Sequence, residues 1–197
     1  RAYSVFANGG YLLKPFLISK ITDSQGQVLF QDRPQQSGDE KLRVISPRNA
    51  YVMDSLLQEV TRSGTAARAQ ATLKRPDLYG KTGTTNDFLD AWFCGFQPSL
   101  VGVVWVGYDT PKKLGNKETG GALALPIWIR YMQTALQNVP VASYAQPPGI
   151  VVENGEPVYS NFANGGGVAS LGLDAPLPPP EVTRQERDSI LDLFKGN

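Results

Sequence analysis

One stretch of the chain combines a lysine, a glycine and three threonines in the order Lys81-Thr82-Gly83-Thr84-Thr85. Side chains alternate along an extended strand, so Thr82 and Thr84 share one face, opposite Lys81. Gly83 and Thr85 lie on the same face as the lysine. A glycine inside a strand often marks close approach of a ligand or of another backbone. Hydroxyls beside an ammonium group can bind a carboxylate, and unpaired N–H groups at a strand edge can stabilise an oxyanion, so the lysine end is a candidate site.

The composition excludes several kinds of chemistry. The chain has 197 residues, no histidine, one cysteine and a formal net charge of +1. Without histidine, a Ser-His-Asp triad and histidine-based metal sites are excluded, so we expect no metal site and no cofactor. No stripe of lysine and arginine indicates a nucleic-acid surface, and no nucleic-acid partner is expected. No apolar run approaches the roughly 18 residues needed to span a bilayer.

The elements around the lysine segment predict a sheet. Segments 78–85, 91–96 and 101–108 are apolar and joined by short turns, so they are expected to form three consecutive antiparallel strands. The last two segments carry large apolar side chains on both faces, which is typical of a sheet covered on both sides. The predicted fold class is therefore α+β, an α/β sandwich in which helices cover both faces of an antiparallel sheet.

Two helices are expected to pack on this sheet. Ser46-Pro47 is typical of a helix start, with serine as the N-cap and proline in the first position. A second helix is expected from Gly120-Gly121 through Leu136. Apolar residues surround that second helix almost completely, so it is predicted to be buried on all sides: Ile127, Trp128, Tyr131, Met132 and Ala135.

The lysine strand and its surroundings resemble the third motif of the penicillin-binding proteins. The similarity begins at Lys81-Thr82-Gly83-Thr84-Thr85-Asn86-Asp87 and continues through Asp90-Ala91-Trp92-Phe93-Cys94-Gly95-Phe96 and Trp105-Val106-Gly107-Tyr108. Near the start of the chain, Phe6-Ala7-Asn8-Gly9-Gly10 and Lys14-Pro15 are similar to the segment after the second motif of these enzymes. The similarity is greatest to the bifunctional class A synthases, and it implies a β-lactamase/transpeptidase-like fold that is incomplete in this chain.

The resemblance implies roles for the residues of the third motif. In this family a serine in a Ser-x-x-Lys motif attacks the D-Ala-D-Ala carbonyl, and the lysine strand forms one wall of the site. By matching position, Lys81 and Thr84 are implied to be catalytic, with Thr84 N–H as half of the oxyanion hole. The implied substrate-binding residues are Thr82, Gly83, Thr84 and Thr85.

The chain contains no Ser-x-x-Lys and no Ser-x-Asn sequence. The nucleophile and its base are therefore expected upstream in the intact protein, and this fragment alone is predicted to be inactive. The resemblance implies peptidoglycan stem peptides and β-lactams as partners, together with the missing N-terminal part of the same protein. It also implies an upstream glycosyltransferase domain, an upstream membrane anchor and a location at the periplasmic face of the bacterial inner membrane.

Two alternatives to a D,D-transpeptidase remain open from the sequence. A non-catalytic penicillin-recognising sensor or scaffold would keep the same cleft for binding. A serine β-lactamase is less favoured, because the run rich in Trp and Phe after Asn86 fits the synthases better.

The composition changes after residue 138. Residues 1–138 are expected to be the C-terminal portion of the transpeptidase domain, and residues 139–197 a Pro/Gly-rich extension that is partly disordered. A small hairpin is expected around Asn154-Gly155, and a short docking helix over 184–194.

Overall fold

The computed structural model describes residues 1–164, of which Arg1–Ser160 form one compact unit. Helices α1 to α4 span Ala2–Ala7, Pro47–Arg62, Arg68–Leu73 and Leu125–Ala135. Strands β1 to β7 span Lys20–Thr22, Val28–Gln31, Tyr79–Thr84, Ala91–Gln97, Leu100–Val106, Ile150–Glu153 and Glu156–Tyr159. A π-helical turn at Gly120–Ala124 precedes α4, and 3-10 turns lie at Glu40–Leu42, Asn86–Phe88 and Ser160–Phe162. The docking helix expected over 184–194 lies outside the described residues.

Strands β3, β4 and β5 form an antiparallel sheet in that order, as their short connections require. The register places Lys81 opposite Cys94 and Gly83 opposite Trp92. Helix α4 packs against one face of this sheet and α1 against the other. The predicted α+β class, an antiparallel sheet with helices on both faces, is confirmed.

The main core lies between the sheet and helices α3 and α4. Phe93 of β4 is fully buried and makes an edge-to-face contact with Trp128 of α4, with ring centroids 5.0 Å apart. Gly102 of β5 leaves room for this indole, because a Cβ there would lie 2.8 Å from Trp128 Nε1. The same core contains small and aliphatic residues: Ala66, Ala69, Leu78, Ala124, Leu125, Ile129, Met132 and Leu136.

The opposite face of the sheet is covered at one end. Phe96 stacks on Tyr79 with a centroid distance of 5.0 Å, and both pack with Leu57 of α2. Beyond this cluster, Trp92 and Trp105 are 39% and 43% exposed. Within residues 1–164, the protein therefore covers this face near α1 and leaves the tryptophan end open.

Helix α2 begins where the sequence predicts. The Ser46 side chain accepts the Asn49 N–H at 3.2 Å, and Pro47 occupies the first position of the helix. The buried face of α2 also contains Asp54 and Thr61. The apolar pattern of the sequence indicates neither of these polar residues.

Thr61 joins α2 to the start of β3. Its fully buried hydroxyl accepts from Gln70 Nε2 at 2.9 Å and donates to the Leu78 carbonyl. We expect Thr61→Val to lower the free energy of unfolding by about 2 kcal/mol, because both partners lose a buried hydrogen bond. Urea unfolding of the intact protein measures this change. Thr72→Val, on the exposed surface of α3, is the control, and an equal loss in both variants would contradict the assignment.

Helix α4 has one buried and one exposed face. Trp128 and Met132 are fully buried, whereas Ile127 and Tyr131 are 52% and 55% exposed. The expectation that this helix is buried on all sides was therefore wrong for the described part of the chain. Residues four positions apart share one face of a helix, so when Trp128 and Met132 face the sheet, Ile127 and Tyr131 face away from it.

The chain after α4 is tied to the core by a buried ion pair. Arg75 contacts Asp77 through two hydrogen bonds of 2.9 and 2.8 Å and donates to the carbonyls of Val139 and Pro140 at 2.7 and 3.0 Å. The Ala142 N–H donates to the same carboxylate at 3.0 Å. Desolvation acts to raise the pKa of Asp77, but the hydrogen bonds from Arg75 and Ala142 outweigh it and lower that pKa. The pair is buried and fully hydrogen-bonded, which is the condition under which an ion pair is tolerated in a core.

Strands β6 and β7 form a small hairpin around Asn154 and Gly155. Both residues have positive φ, 52° and 88°, which matches the twist that a two-residue hairpin turn requires. The compact unit continues through this hairpin to Ser160. The domain boundary expected after residue 138 stays a prediction.

Candidate active-site edge

Within residues 1–164, strand β3 is an edge strand, and its outer backbone groups are available to a ligand. The Thr85 N–H donates to the Asp90 carbonyl at 3.1 Å across the turn to β4. Backbone groups alternate in direction along an antiparallel strand, so the N–H groups of Thr84 and Thr82 point away from β4. Thr84 is exposed and Thr82 is half-buried. The N–H of Thr84 therefore lies on the open edge.

Lys81 is exposed at the same edge. Its ammonium group donates to the Thr82 carbonyl at 3.0 Å and lies 3.4 Å from Thr82 Oγ1. The lysine side chain thus reaches round the strand toward the face that carries the threonine hydroxyls. None of the ion pairs in the described part of the chain includes Lys81, so its charge is available to a ligand.

Two threonine hydroxyls lie beside this charge. Thr82 Oγ1 is 2.9 Å from Thr65 Oγ1, which belongs to the loop between α2 and α3. Thr84 Oγ1 accepts the Gly120 N–H at 3.1 Å. Because the Thr84 oxygen is the acceptor in that bond, its hydroxyl proton remains available for a ligand. We call Lys81, Thr82, Gly83 and Thr84 together the lysine edge.

The paired glycines at the start of the π-helical turn let this turn lie directly on β3 and β4. A Cβ on Gly120 would overlap the Trp92 carbonyl oxygen and lie 2.5 Å from the Gly83 carbonyl oxygen. A Cβ on Gly121 would lie 3.3 Å from the Thr65 carbonyl oxygen. The sequence pattern predicts only a helix start at this pair, although two adjacent glycines also allow close backbone approach.

Thr85 contributes to the turn after the lysine edge. Its hydroxyl accepts the Asp90 N–H at 2.8 Å, and the Asp90 carboxylate accepts the indole N–H of Trp105 at 2.8 Å. These bonds fix the end of β3 against β5. The structure therefore brings Lys81, Thr82, Gly83 and Thr84 together at the edge, and it places the hydroxyl of Thr85 against Asp90. Contact between Thr85 and the substrate stays a prediction.

The remaining groups near the edge set the local chemistry. Cys94, opposite Lys81, is a half-buried free cysteine, and burial raises the pKa of its thiol. Among residues 1–164, no group of three His, Cys, Asp or Glu side chains is placed to hold a metal ion. No helix in the described part of the chain has the length and apolarity needed to cross a bilayer.

The model of the family described as "Penicillin binding protein transpeptidase domain" matches residues 1–133. The chain belongs to the penicillin-binding protein transpeptidase family. The resemblance that the sequence indicated through the lysine strand is thereby confirmed. The lysine edge lies within the matched residues.

Relatives of this family member include penicillin-binding proteins 1A. The chain is 48% identical over 155 residues to Penicillin-binding protein 1A of Neisseria lactamica, covering 79% of this chain and 19% of the relative. The corresponding protein of Pseudomonas aeruginosa is 41% identical over 207 residues, covering 82% and 25%. The crystal structure of Penicillin-Binding Protein 1A from Haemophilus influenzae matches with a TM-score of 0.72 and 36% identity, covering 77% and 28%. The chain thus spans 19 to 28% of the length of these relatives.

Proposed function

We propose that the protein to which this chain belongs is a peptidoglycan D,D-transpeptidase that crosslinks stem peptides through a serine acyl-enzyme and is acylated by β-lactams. The observation that carries this proposal is the lysine edge. An ammonium group that has no ion-pair partner among residues 1–164, two hydroxyls and an outward N–H lie on one exposed strand edge of a chain that belongs to the transpeptidase family. A peptide can add to such an edge as a further strand.

The terminal carboxylate of the stem peptide binds to the hydroxyls of Thr82 and Thr84. The Thr84 hydroxyl is oriented by the Gly120 N–H and keeps its proton for the carboxylate. The Thr82 hydroxyl forms a hydrogen bond with the Thr65 hydroxyl and lies 3.4 Å from the Lys81 ammonium group. The positive charge of Lys81 attracts the carboxylate of the peptide. The carboxylate of a penicillin imitates this group and binds in the same way.

The outward N–H of Thr84 supplies one half of the oxyanion hole. When the serine attacks the carbonyl carbon of D-Ala-D-Ala, the carbonyl oxygen becomes negative and accepts this N–H. A single donor of this kind contributes about 3 kcal/mol to transition-state stabilisation in other enzymes. Gly83, without a side chain, keeps the neighbouring surface low enough for the peptide to lie against β3.

Lys81 keeps the site electropositive and aids the movement of the proton. As the serine attacks, its proton has to reach the amine that leaves with the terminal D-alanine. We assign Lys81 a place beside the serine of the second motif, where its positive charge lowers the cost of this transfer. Its freedom from carboxylate partners in the described residues supports that role.

The nucleophile and its base come from the rest of the intact protein, since this chain has no Ser-x-x-Lys and no Ser-x-Asn sequence. These residues alone are therefore inactive. The relatives are penicillin-binding proteins 1A, which supports a bifunctional protein with a glycosyltransferase domain and a membrane anchor upstream. Its transpeptidase domain then faces the periplasm, where the stem peptides are.

A labelled penicillin tests this proposal on the intact protein. We expect a stable covalent adduct on a serine outside this chain, seen by mass spectrometry, and no adduct on residues 1–197 alone. Absence of any adduct on the intact protein would favour a non-catalytic penicillin-recognising module. An adduct that hydrolyses within seconds, with turnover of penicillin, would favour a serine β-lactamase.

A further inference from the structure

A cavity with a mixed polar and apolar lining lies between α2, the start of β3 and the β6–β7 hairpin. Its volume is about 230 Å³, and its lining includes Tyr51, Asp54, Ser55, Tyr79 and Ser143. A second cavity of about 120 Å³ shares Tyr51 and Asp54 with the first. A water occupies about 30 Å³ in the liquid, so the larger cavity has the volume of roughly eight waters, which is enough for a small organic group.

Asp54 is the unusual group in this cavity. It projects from the middle of α2 and is 3% exposed, and its Oδ1 has no hydrogen-bond partner in the described structure. A buried carboxyl oxygen without a partner costs stability, so such a residue calls for a partner supplied from elsewhere. Burial raises the pKa of Asp54 to about 8.

The charged groups nearby do not supply that partner. None of the ion pairs formed by residues 1–164 includes Asp54. Arg75 forms its ion pair with Asp77. Arg48, at the start of α2, lies over the Tyr159 ring at 5.4 Å. The cavity therefore contains a carboxyl group and lacks a compensating cation from the described residues.

The other lining groups favour a ligand that donates hydrogen bonds. Tyr51, Ser55 and Ser143 contribute hydroxyl oxygens, and the amide nitrogen of Gln58 is already used by the Pro76 carbonyl at 2.7 Å. The oxygen of Gln58 can therefore accept a hydrogen bond from a ligand, beside the second N–H of the same amide. Tyr79 and Tyr144, whose rings contact each other at a centroid distance of 5.4 Å, complete the aromatic part of the lining.

We propose that this cavity binds a small organic cation, a primary ammonium or a guanidinium, with the Asp54 carboxylate as its charge partner. The donors of such a cation match the unpartnered carboxyl oxygen and the hydroxyl oxygens of the lining. The ligand is a small molecule taken up from solution. The cavity and the lysine edge both include part of strand β3, but no residue belongs to both.

Binding of the cation is coupled to the release of a proton from Asp54. Asp54 has to ionise before it pairs with a cation, so at pH 7 the complex forms with release of a proton. The hydroxyl of Tyr51 lines the same cavity, and Tyr79, Tyr144 and Asp77 are the other titratable groups near Asp54. Burial is the main reason that the pKa values of Tyr79 and Tyr144 are raised, and the charge of Asp54 adds to the effect. Both tyrosines therefore stay neutral. Asp77 stays ionised because its pKa is lowered.

Calorimetric titration of the intact protein with methylguanidinium tests the proposal, with methylurea as the neutral analogue of the same shape. We expect methylguanidinium to bind at least roughly tenfold more tightly than methylurea at pH 8. Titrations at pH 7 in buffers of different ionisation enthalpy should show release of about one proton per ligand. The affinity should fall roughly tenfold from pH 7 to pH 6 as Asp54 takes up its proton.

Three variants test whether methylguanidinium binds in the cavity beside Asp54. Asp54→Asn should remove both the preference for the cation and the proton release, whereas Glu156→Gln, which removes an exposed carboxylate of β7, should keep both. Ser55→Met fills the cavity without changing its charge and should also abolish binding. The proposal is overturned if methylguanidinium does not bind, if methylurea binds equally well, or if Asp54→Asn or Ser55→Met binds like the unmodified protein.

Discussion

Lys81→Ala in the intact protein is expected to lower the rate of acylation by a labelled penicillin by roughly 10²–10⁴-fold, the range typical of a lost proton-transfer group. The ammonium group lies beside the Thr82 hydroxyl with no carboxylate partner in the described residues, so its removal leaves the ligand site without its positive charge. The fold should be unaffected, because an exposed strand lysine changes stability by less than about 0.5 kcal/mol.

The control for this prediction is another exposed lysine close to the same strand. Lys113 pairs with Asp87 at 3.4 Å in the turn after the lysine edge, and Lys113→Ala removes one positive charge from that region. Its acylation rate should stay within about twofold of the unmodified protein, because an exposed ion pair contributes little. Acylation and thermal unfolding should be measured on the same preparations. A Lys81→Ala protein that is acylated at the unmodified rate would remove Lys81 from the mechanism.

Gly120→Ala is expected to reduce acylation by roughly 10²-fold, the loss that misplacement of a catalytic group by about 1 Å can cause. The added Cβ would overlap the Trp92 carbonyl oxygen and lie 2.5 Å from the Gly83 carbonyl oxygen. Both are backbone atoms in paired strands, so no side-chain rotation relieves the clash. Either the π-helical turn moves away and releases Thr84, or the lysine strand shifts. We also expect the free energy of unfolding to fall by about 1–3 kcal/mol.

The adjacent glycine gives a matched control. A Cβ on Gly121 would be 3.3 Å from the Thr65 carbonyl oxygen and 3.9 Å from Thr82 Cγ2, so a small adjustment accommodates it. Gly121→Ala should therefore keep most of the acylation rate. Equal rates for the two alanine variants would show that the position of the π-helical turn does not control the lysine edge. Carbonyl and amide shifts of Gly83 and Thr84 in NMR spectra would report the displacement directly.

Several parts of the fold could be predicted because they depend on short stretches of chain. The three-stranded sheet follows from apolar segments joined by turns too short for a parallel connection, and the start of α2 follows from Ser46-Pro47. The burial of α4 was predicted wrongly. Apolar residues on every face of a helix do not show how many of those faces are covered by other elements. In the described residues only one face of α4 is covered, because Ile127 and Tyr131 are exposed.

The family, the lysine strand and the alternation that separates Lys81 from Thr82 and Thr84 could all be predicted from local residue patterns. The groups that orient those hydroxyls become visible only in the packed fold. Thr65 is 17 residues from Thr82, and Gly120 is 36 residues from Thr84. The packed fold also places Asp54 at a cavity, where its Oδ1 has no hydrogen-bond partner among residues 1–164. Local patterns fix the period of each element, whereas contacts between distant segments depend on how all the elements pack together.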